Sequence, residues 1–223
     1  MITRKELAKM IDHTLLKADA NNAMFDVLCE EAKTYGFKMV AINSSPVAYC
    51  SDKLKGTGVN VGAAIGFPLG QTTISTKVFE TEDAIRNGAN EIDYVINIRE
   101  LKNGNLEYVR KEMEAIVSVC RAQSVTSKVI LETCYLSDEE KRAVCEIAVQ
   151  VKPDFVKTST GFGTDGARLE DIRLMKEVVG DSVAIKAAGG IRDLETALQM
   201  IEAGASRIGT SSGIAIVEAL LEP

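Results

Sequence analysis

Histidine is almost missing from this chain of 223 residues: His13 is the only one. A single imidazole cannot build a multi-histidine metal centre, and it leaves a Ser-His-Asp triad little to work with. His13 itself reads as a hydrogen-bonded or surface residue rather than a catalytic one. Cysteine is sparse and unpaired in pattern. The five thiols at 29, 50, 120, 134 and 145 are an odd, scattered set with no Cys-x-x-Cys, as expected of reduced thiols in a cytoplasmic protein. No apolar run approaches the ~20 residues of a membrane span, and residues 1–6 lack the pattern of a secretory leader. Positive charge is in deficit: 26 Lys and Arg against 32 Asp and Glu give a net charge of −6. That balance argues against broad binding of nucleic acid or an anionic membrane, but leaves room for a locally positive pocket.

What the chain does contain is a regular alternation of strand and helix patterns. Apolar residues make up 46% of the sequence, enough for one sizeable core. A capping box, Thr3-x-x-Glu6, opens a short first helix, and a second, Ser137-x-x-Glu140, opens a later one. Strands are expected near residues 11–16, 39–43, 60–66, 91–98, 128–133, 154–160, 182–188 and 206–209. Helices are expected over 20–35, 45–55, 74–87, 105–123, from 137, over 168–179, 193–203 and 212–221. Gly88-Ala89-x-x-Ile92 and Gly204-Ala205-x-x-Ile208 echo each other between a helix and a strand. No linker, low-complexity stretch or composition break interrupts the series. Eight such units predict an α/β fold, a single-domain (β/α)8 TIM barrel over residues 1–223 with a short N-terminal helix.

Two lysines stand out. Lys157 and Lys186 each interrupt an apolar strand-like run, and each run ends in a glycine-bearing loop, Gly161-Phe162-Gly163 and Gly189-Gly190. Burying an ammonium is costly without a partner. A second lysine nearby would lower the pKa of the first and free an amine to attack a carbonyl. Alternation in residues 91–97 places Asp93, Val95 and Asn97 on one face, toward the barrel interior, and Ile92, Tyr94 and Ile96 toward the helices. The same reading sends Phe155, Lys157 and Ser159 inward. The plain alternative is a structural ion pair of Asp93 with a lysine, or lysines snorkelling at strand ends. Glu132 and Thr133 read as polar filling without a role. The charged stripes of 105–123 read as a solvated helix face.

Gly189-Gly190 and the run Gly209-Thr210-Ser211-Ser212-Gly213 follow the last two strands, where barrels often bind phosphate. Small residues let backbone N–H groups approach phosphate oxygens, and hydroxyls add donors. Gly161-Phe162-Gly163-Thr164-Asp165-Gly166 also matches the dinucleotide pattern G-x-G-x-x-G. Its strand carries a lysine, and no helix begins convincingly before Arg168, so a nicotinamide site is disfavoured. A sugar-phosphate-binding barrel without catalysis, and a Schiff-base aldolase for another phosphosugar, remain open at this level.

Across most of its length the sequence resembles the deoxyribose-phosphate aldolases, a class I aldolase family. The resemblance rests on residues 11–17 (IDHTLLK), 66–70 (GFPLG), 91–93 (EID), 156–162 (VKTSTGF), 185–192 (IKAAGGIR) and 209–213 (GTSSG). It implies a (β/α)8 barrel and reversible cleavage of 2-deoxy-D-ribose 5-phosphate to D-glyceraldehyde 3-phosphate and acetaldehyde through a lysine Schiff base, in deoxyribonucleoside and carbohydrate catabolism. It further implies Lys157 as the imine-forming lysine, Lys186 as its modulator and Asp93 as a proton relay. Gly161, Gly189, Gly190, Gly209, Ser211 and Ser212 match phosphate-binding positions. No cofactor and no metal are expected; the expected partners are a phosphorylated sugar and short aldehydes, and the sequence leaves open whether copies pair as a homodimer. The chain departs from the family pattern at Ala18, Asn21, Ala41, Ser44 and Arg168, which concerns aldehyde tolerance and pocket detail rather than the lysine chemistry.

Overall fold

A computed structural model describes residues 2–221. After helix α1 (Arg4–Ala8), the strands are β1 (Ile11–Leu15), β2 (Met39–Asn43), β3 (Asn60–Ile65), β4 (Glu91–Val95), β5 (Thr126–Ile130), β6 (Phe155–Lys157), β7 (Ala184–Ala188) and β8 (Arg207–Thr210). The helices between and after them are α2 (Asn22–Tyr35), α3 (Val47–Leu54), α4 (Ile74–Arg86), α5 (Ile98–Lys102), α6 (Leu106–Ala122), α7 (Asp138–Val151), α8 (Leu169–Val179), α9 (Leu194–Glu202) and α10 (Gly213–Ala219). Each strand pairs in parallel with its sequence neighbours, and β8 returns to β1, closing an eight-stranded barrel. This is the (β/α)8 fold that the alternation predicts.

Local signals set the boundaries. Both capping boxes form, Thr3 with Glu6 and Ser137 with Glu140. Helix α2 is capped by the Asn21 side chain, buries Phe25, Leu28, Cys29 and Ala32, and stops at Gly36 in the left-handed region. The glycine echo has one structural cause. Gly88 (φ 104°) and Gly204 (φ 122°) each follow a helix end. The next residues, Ala89 and Ala205, donate back to the carbonyls of Ala84 and Met200, 3.0 Å in both cases. This six-to-one bond needs positive φ at the glycine.

Strands β4, β5 and β6 differ most from expectation. Strand β4 ends at Val95 rather than continuing to 98, because the Asn97 side chain accepts from the Glu100 N–H and starts α5. Asn97 is therefore a helix cap rather than a barrel-lining residue. Strand β5 runs from Thr126 to Ile130, and Thr133–Tyr135 forms a single 3-10 turn. Strand β6 is only three residues long, so most of 158–163 is loop.

The helix α6 is not wholly solvated on its charged side. Glu112 is fully buried and pairs with the equally buried Lys77 of α4 at 2.6 Å. Lys77 also donates to the Val95 carbonyl, and Glu112 accepts from the Asn97 N–H. The pair thus satisfies the backbone where β4 ends. Burial pushes the Glu112 carboxyl up and the Lys77 ammonium down, against their mutual attraction.

Charged side chains also fill the barrel interior. Arg207 of β8 donates to Asp12 of β1 (2.9 Å) and Glu91 of β4 (3.0 Å). Lys128 of β5 bridges Glu91 (2.6 Å) and Asp93 (2.7 Å). Met39 reaches in from β2 beside Lys128 and Arg207, its sulfur where a Gly62 side chain would begin, so β3 needs glycine there. Burial opposes ionisation of Glu91, but Lys128 and Arg207 outweigh it and hold the carboxyl at about 2.

Candidate active site

Strand register places the residues singled out from the sequence side by side. Lys157 lies opposite Lys186 across β6 and β7, Asp93 lies opposite Lys128, and Ile130 lies opposite Lys157. Alternation then turns Asp93, Lys128, Lys157 and Lys186 into one interior layer. Lys157 donates to Asp93 Oδ2 at 2.9 Å and Lys186 donates to the same oxygen at 2.7 Å. Lys128 holds the other carboxylate oxygen at 2.7 Å. Lys186 also pairs with Asp12 Oδ2 at 2.5 Å. The three residues singled out from the sequence therefore meet at one atom.

The electrostatics separate the two lysines. Lys186 has two carboxylate partners, whereas Lys157 shares only Asp93. Burial is the main influence on Lys157. Together with the positive charges of Lys186 and Lys128 it outweighs Asp93 and brings the Lys157 ammonium down to about 8. At pH 7 about one Lys157 side chain in ten is then neutral, against about one in 3,000 at the ordinary value of 10.5. Asp93 is held well below the usual carboxylate range, because Lys128, Lys157 and Lys186 overcome its desolvation. It stays an anion.

Above this layer, at the carboxyl ends of the strands, opens a cavity of about 890 Å³. Lys157 and Lys186 lie at its floor. Gly161, Gly189, Gly190, Gly209 and Ser211 line its wall, as do Thr160, Phe162 and Arg192. Gly161, Gly189 and Gly190 have φ of 86°, 90° and 78°, a region that favours glycine. A side chain on Gly189 would also press on Gly166 and Ser159. Gly209 meets a second need, since a Cβ there would stand 2.8 Å from Ala188 and 3.1 Å from the Lys186 stem. Ser212 is placed differently. It lies outside the lining, and its N–H donates to Thr210 Oγ1 at 2.9 Å.

The dinucleotide-like segment is a loop packed against protein. A side chain on Gly163 would meet Cys134 Sγ at 2.6 Å, and one on Gly166 would meet the Gly189 carbonyl at 2.2 Å. Helix α8 starts only at Leu169. Arg168, at its N-cap, supplies no side-chain cap and instead pairs with Asp165. Ala41 lines the cavity, and Ser44 donates to Glu80, which also accepts the Gly66 N–H. His13 is buried, bonded to Glu31 at 2.7 Å.

Sequence reading missed Asp12, Glu91, Lys128 and Arg207, the ions that surround the lysines. It also assigned nothing to Glu132. That residue is buried at the end of β5, and its carboxylate accepts from both the N–H and the hydroxyl of Thr160.

A family model described as DeoC/LacD family aldolase matches residues 7–219. A deoxyribose-phosphate aldolase of Bacteroides thetaiotaomicron is 59% identical, covering 98% of this chain and 92% of the relative. One from Lactobacillus acidophilus is 56% identical over the same shares of the two chains. Among solved structures, the tetrameric deoxyribose phosphate aldolase of Aeropyrum pernix superposes with a TM-score of 0.91 at 31% identity, covering 97% of this chain and 92% of that one.

Proposed function

The chain belongs to the DeoC/LacD family of aldolases, and from that membership we propose that it reversibly cleaves 2-deoxy-D-ribose 5-phosphate to D-glyceraldehyde 3-phosphate and acetaldehyde, with Lys157 as the nucleophile. The observation that carries the assignment of roles is the shared oxygen: Lys157 and Lys186 both donate to Asp93 Oδ2 beneath one cavity.

Neutral Lys157 Nζ adds to the substrate aldehyde, and loss of water from the adduct gives a protonated imine. The imine draws the electron pair of the C2–C3 bond toward nitrogen. The C3 hydroxyl gives up its proton, C3 leaves as the aldehyde of glyceraldehyde 3-phosphate, and an enamine remains on Lys157. Protonation of C2 and hydrolysis release acetaldehyde and the free amine. Lys186, Asp93 and water carry these protons, since Lys186 donates to the same oxygen as the nucleophile. The phosphate rests against the loops of Gly161, Gly189, Gly190, Gly209 and Ser211, the last loop tied by the Ser212 N–H to Thr210 Oγ1. Binding the remote phosphate fixes the reacting carbon over Lys157.

The five free thiols suit a cytoplasmic enzyme. Among the described residues no helix is long and apolar enough to cross a membrane. Phe79 and Leu69 are exposed apolar side chains that would favour association with a second copy.

The test is retro-aldol activity measured against pH in excess chelator. Acetaldehyde release is expected without added metal. The kcat/KM profile is expected to rise through about pH 8, because Lys157 must lose its proton before it attacks. A profile flat from pH 6 to 9, or activity that only a divalent ion restores, would refute the assignment.

A further inference from the structure

Glu132 spends both carboxylate oxygens on one residue of the loop after β6. Its Oε1 accepts the Thr160 N–H at 3.0 Å, and its Oε2 accepts the Thr160 hydroxyl. Thr160 Oγ1 in turn accepts the Phe162 N–H at 3.0 Å. Gly161 lies between these two anchored residues, and all three line the cavity above Lys157. The neighbouring backbone is joined as well: Leu131 N–H donates to the Lys157 carbonyl and Thr133 N–H to the Thr158 carbonyl.

Glu132 adopts φ 57° and ψ 63°, a left-handed conformation that side-chain-bearing residues enter at a cost. The contacts explain why it is held there: this twist is what aims the carboxylate across at Thr160. The glycine at 163 completes the fit, since a Cβ there would come 3.3 Å from the Glu132 carboxyl carbon and 2.6 Å from Cys134 Sγ. On its far side the loop is held by Phe162, which packs edge-on against Phe67 of the β3–α4 loop at 5.5 Å. Burial raises the Glu132 carboxyl, while the Thr160 hydrogen bonds act the other way. A buried carboxylate that, among the described residues, accepts hydrogen bonds from a single loop residue is arranged to hold that loop, not to shuttle protons.

We infer that Glu132 is a positioning residue for phosphate recognition: through Thr160 it fixes Gly161 and Phe162 at the end of the cavity that receives the phosphate of the substrate. The inference rests on the proposed cleavage of a phosphorylated sugar and adds a residue to it. Glu132 touches neither the substrate nor the imine. Its loss should therefore weaken the use of remote binding energy while leaving the lysine chemistry in place.

The experiment compares 2-deoxyribose 5-phosphate with unphosphorylated 2-deoxyribose in the full-length enzyme, for wild type, Glu132→Gln and Thr160→Val. Glutamine is close in shape but puts an NH2 group where one of the two carboxylate oxygens stands, so the Thr160 N–H and hydroxyl can no longer both donate in this geometry. Valine removes the hydroxyl and keeps the backbone. Wild-type enzyme inactive on both sugars would refute the function itself and not this inference alone. Given an active wild type, each variant is expected to lose about 10–100-fold in kcat/KM on the phosphorylated sugar, mostly as a raised KM, and less than about threefold on the free sugar. The pH at which activity rises should stay near that of wild type. Equal losses on both sugars, or a fall in kcat with a displaced pH profile, would overturn the inference, the latter in favour of an acid–base role. Unchanged phosphate preference in both variants, confirmed as folded by thermal melting, would overturn it too.

Discussion

Lys186→Leu is expected to lower kcat/KM by about 10²–10⁴-fold while the barrel still folds. Two losses combine. The leucine removes the side chain that donates to Asp93 Oδ2 beside Lys157, and with it the proposed proton carrier. It also removes a positive charge that helps hold Lys157 down to about 8. With that charge gone, Asp93 favours the protonated form of Lys157 more strongly. The rising limb of the pH profile should therefore move to higher pH, so that part of the activity lost at pH 7 returns at pH 9. The fold should survive because the stranded anions keep other partners. Asp12 retains Arg207, and Asp93 retains Lys128 and Lys157. Near-wild-type turnover in this variant would reject the two-lysine mechanism.

Asp93→Asn should cost as much activity and move the pH limb the opposite way. Asp93 is the one carboxylate that raises Lys157 by both charge and hydrogen bond. Replacing it with an amide lets burial and the neighbouring cations act unopposed, so the limb should fall below about pH 8. Lys157 would be neutral more often, yet turnover should drop by about 10²–10⁴-fold, because the relay between nucleophile and Lys186 is broken. Stability should fall as well. Breaking a buried pair costs about 3–5 kcal/mol when it leaves a charge uncompensated. Here the loss should lie toward the lower end, since Lys128 keeps Glu91, Lys186 keeps Asp12, and Lys157 can shed its proton. Opposite limb shifts in the two variants, measured as kcat/KM from pH 6 to 10, would be hard to produce by general damage to the fold. Shifts in the same direction would contradict the charge balance described for the site.

The lysines were legible because a lysine inside an apolar strand run has few ordinary explanations, and Asp93 followed from alternation within β4. Asp12, Glu91, Lys128 and Arg207 were not: Asp12, Glu91 and Arg207 sit near a strand start, and Lys128, central in β5, opens the strand that periodicity expects, so each looks like a surface charge. Only closure of the barrel brings β1, β4, β5 and β8 together around them. Lys77 and Glu112 are a different case. Glu112 falls at helical spacing from the buried Val109 and Ile116, and Lys77 from Thr81 and Ala84. Their positions on inward faces were readable, but a charged stripe elsewhere on α6 concealed them. Glu132 left no local trace, since its role depends on a left-handed backbone and a partner 28 residues away. The strand ends at Val95 and Lys157 depend on side-chain caps and on loop contacts between neighbouring units. Periodicity within one segment cannot report these.

The account turns on a covalent bond between Lys157 and the substrate, and borohydride trapping tests that bond directly. Enzyme incubated with acetaldehyde and reduced should carry one ethyl group in place of an amine hydrogen, a net gain of C2H4, mapped to Lys157 and absent from Lys157→Leu. An adduct confined to Lys186, or none in folded enzyme given authentic 2-deoxyribose 5-phosphate, would contradict it.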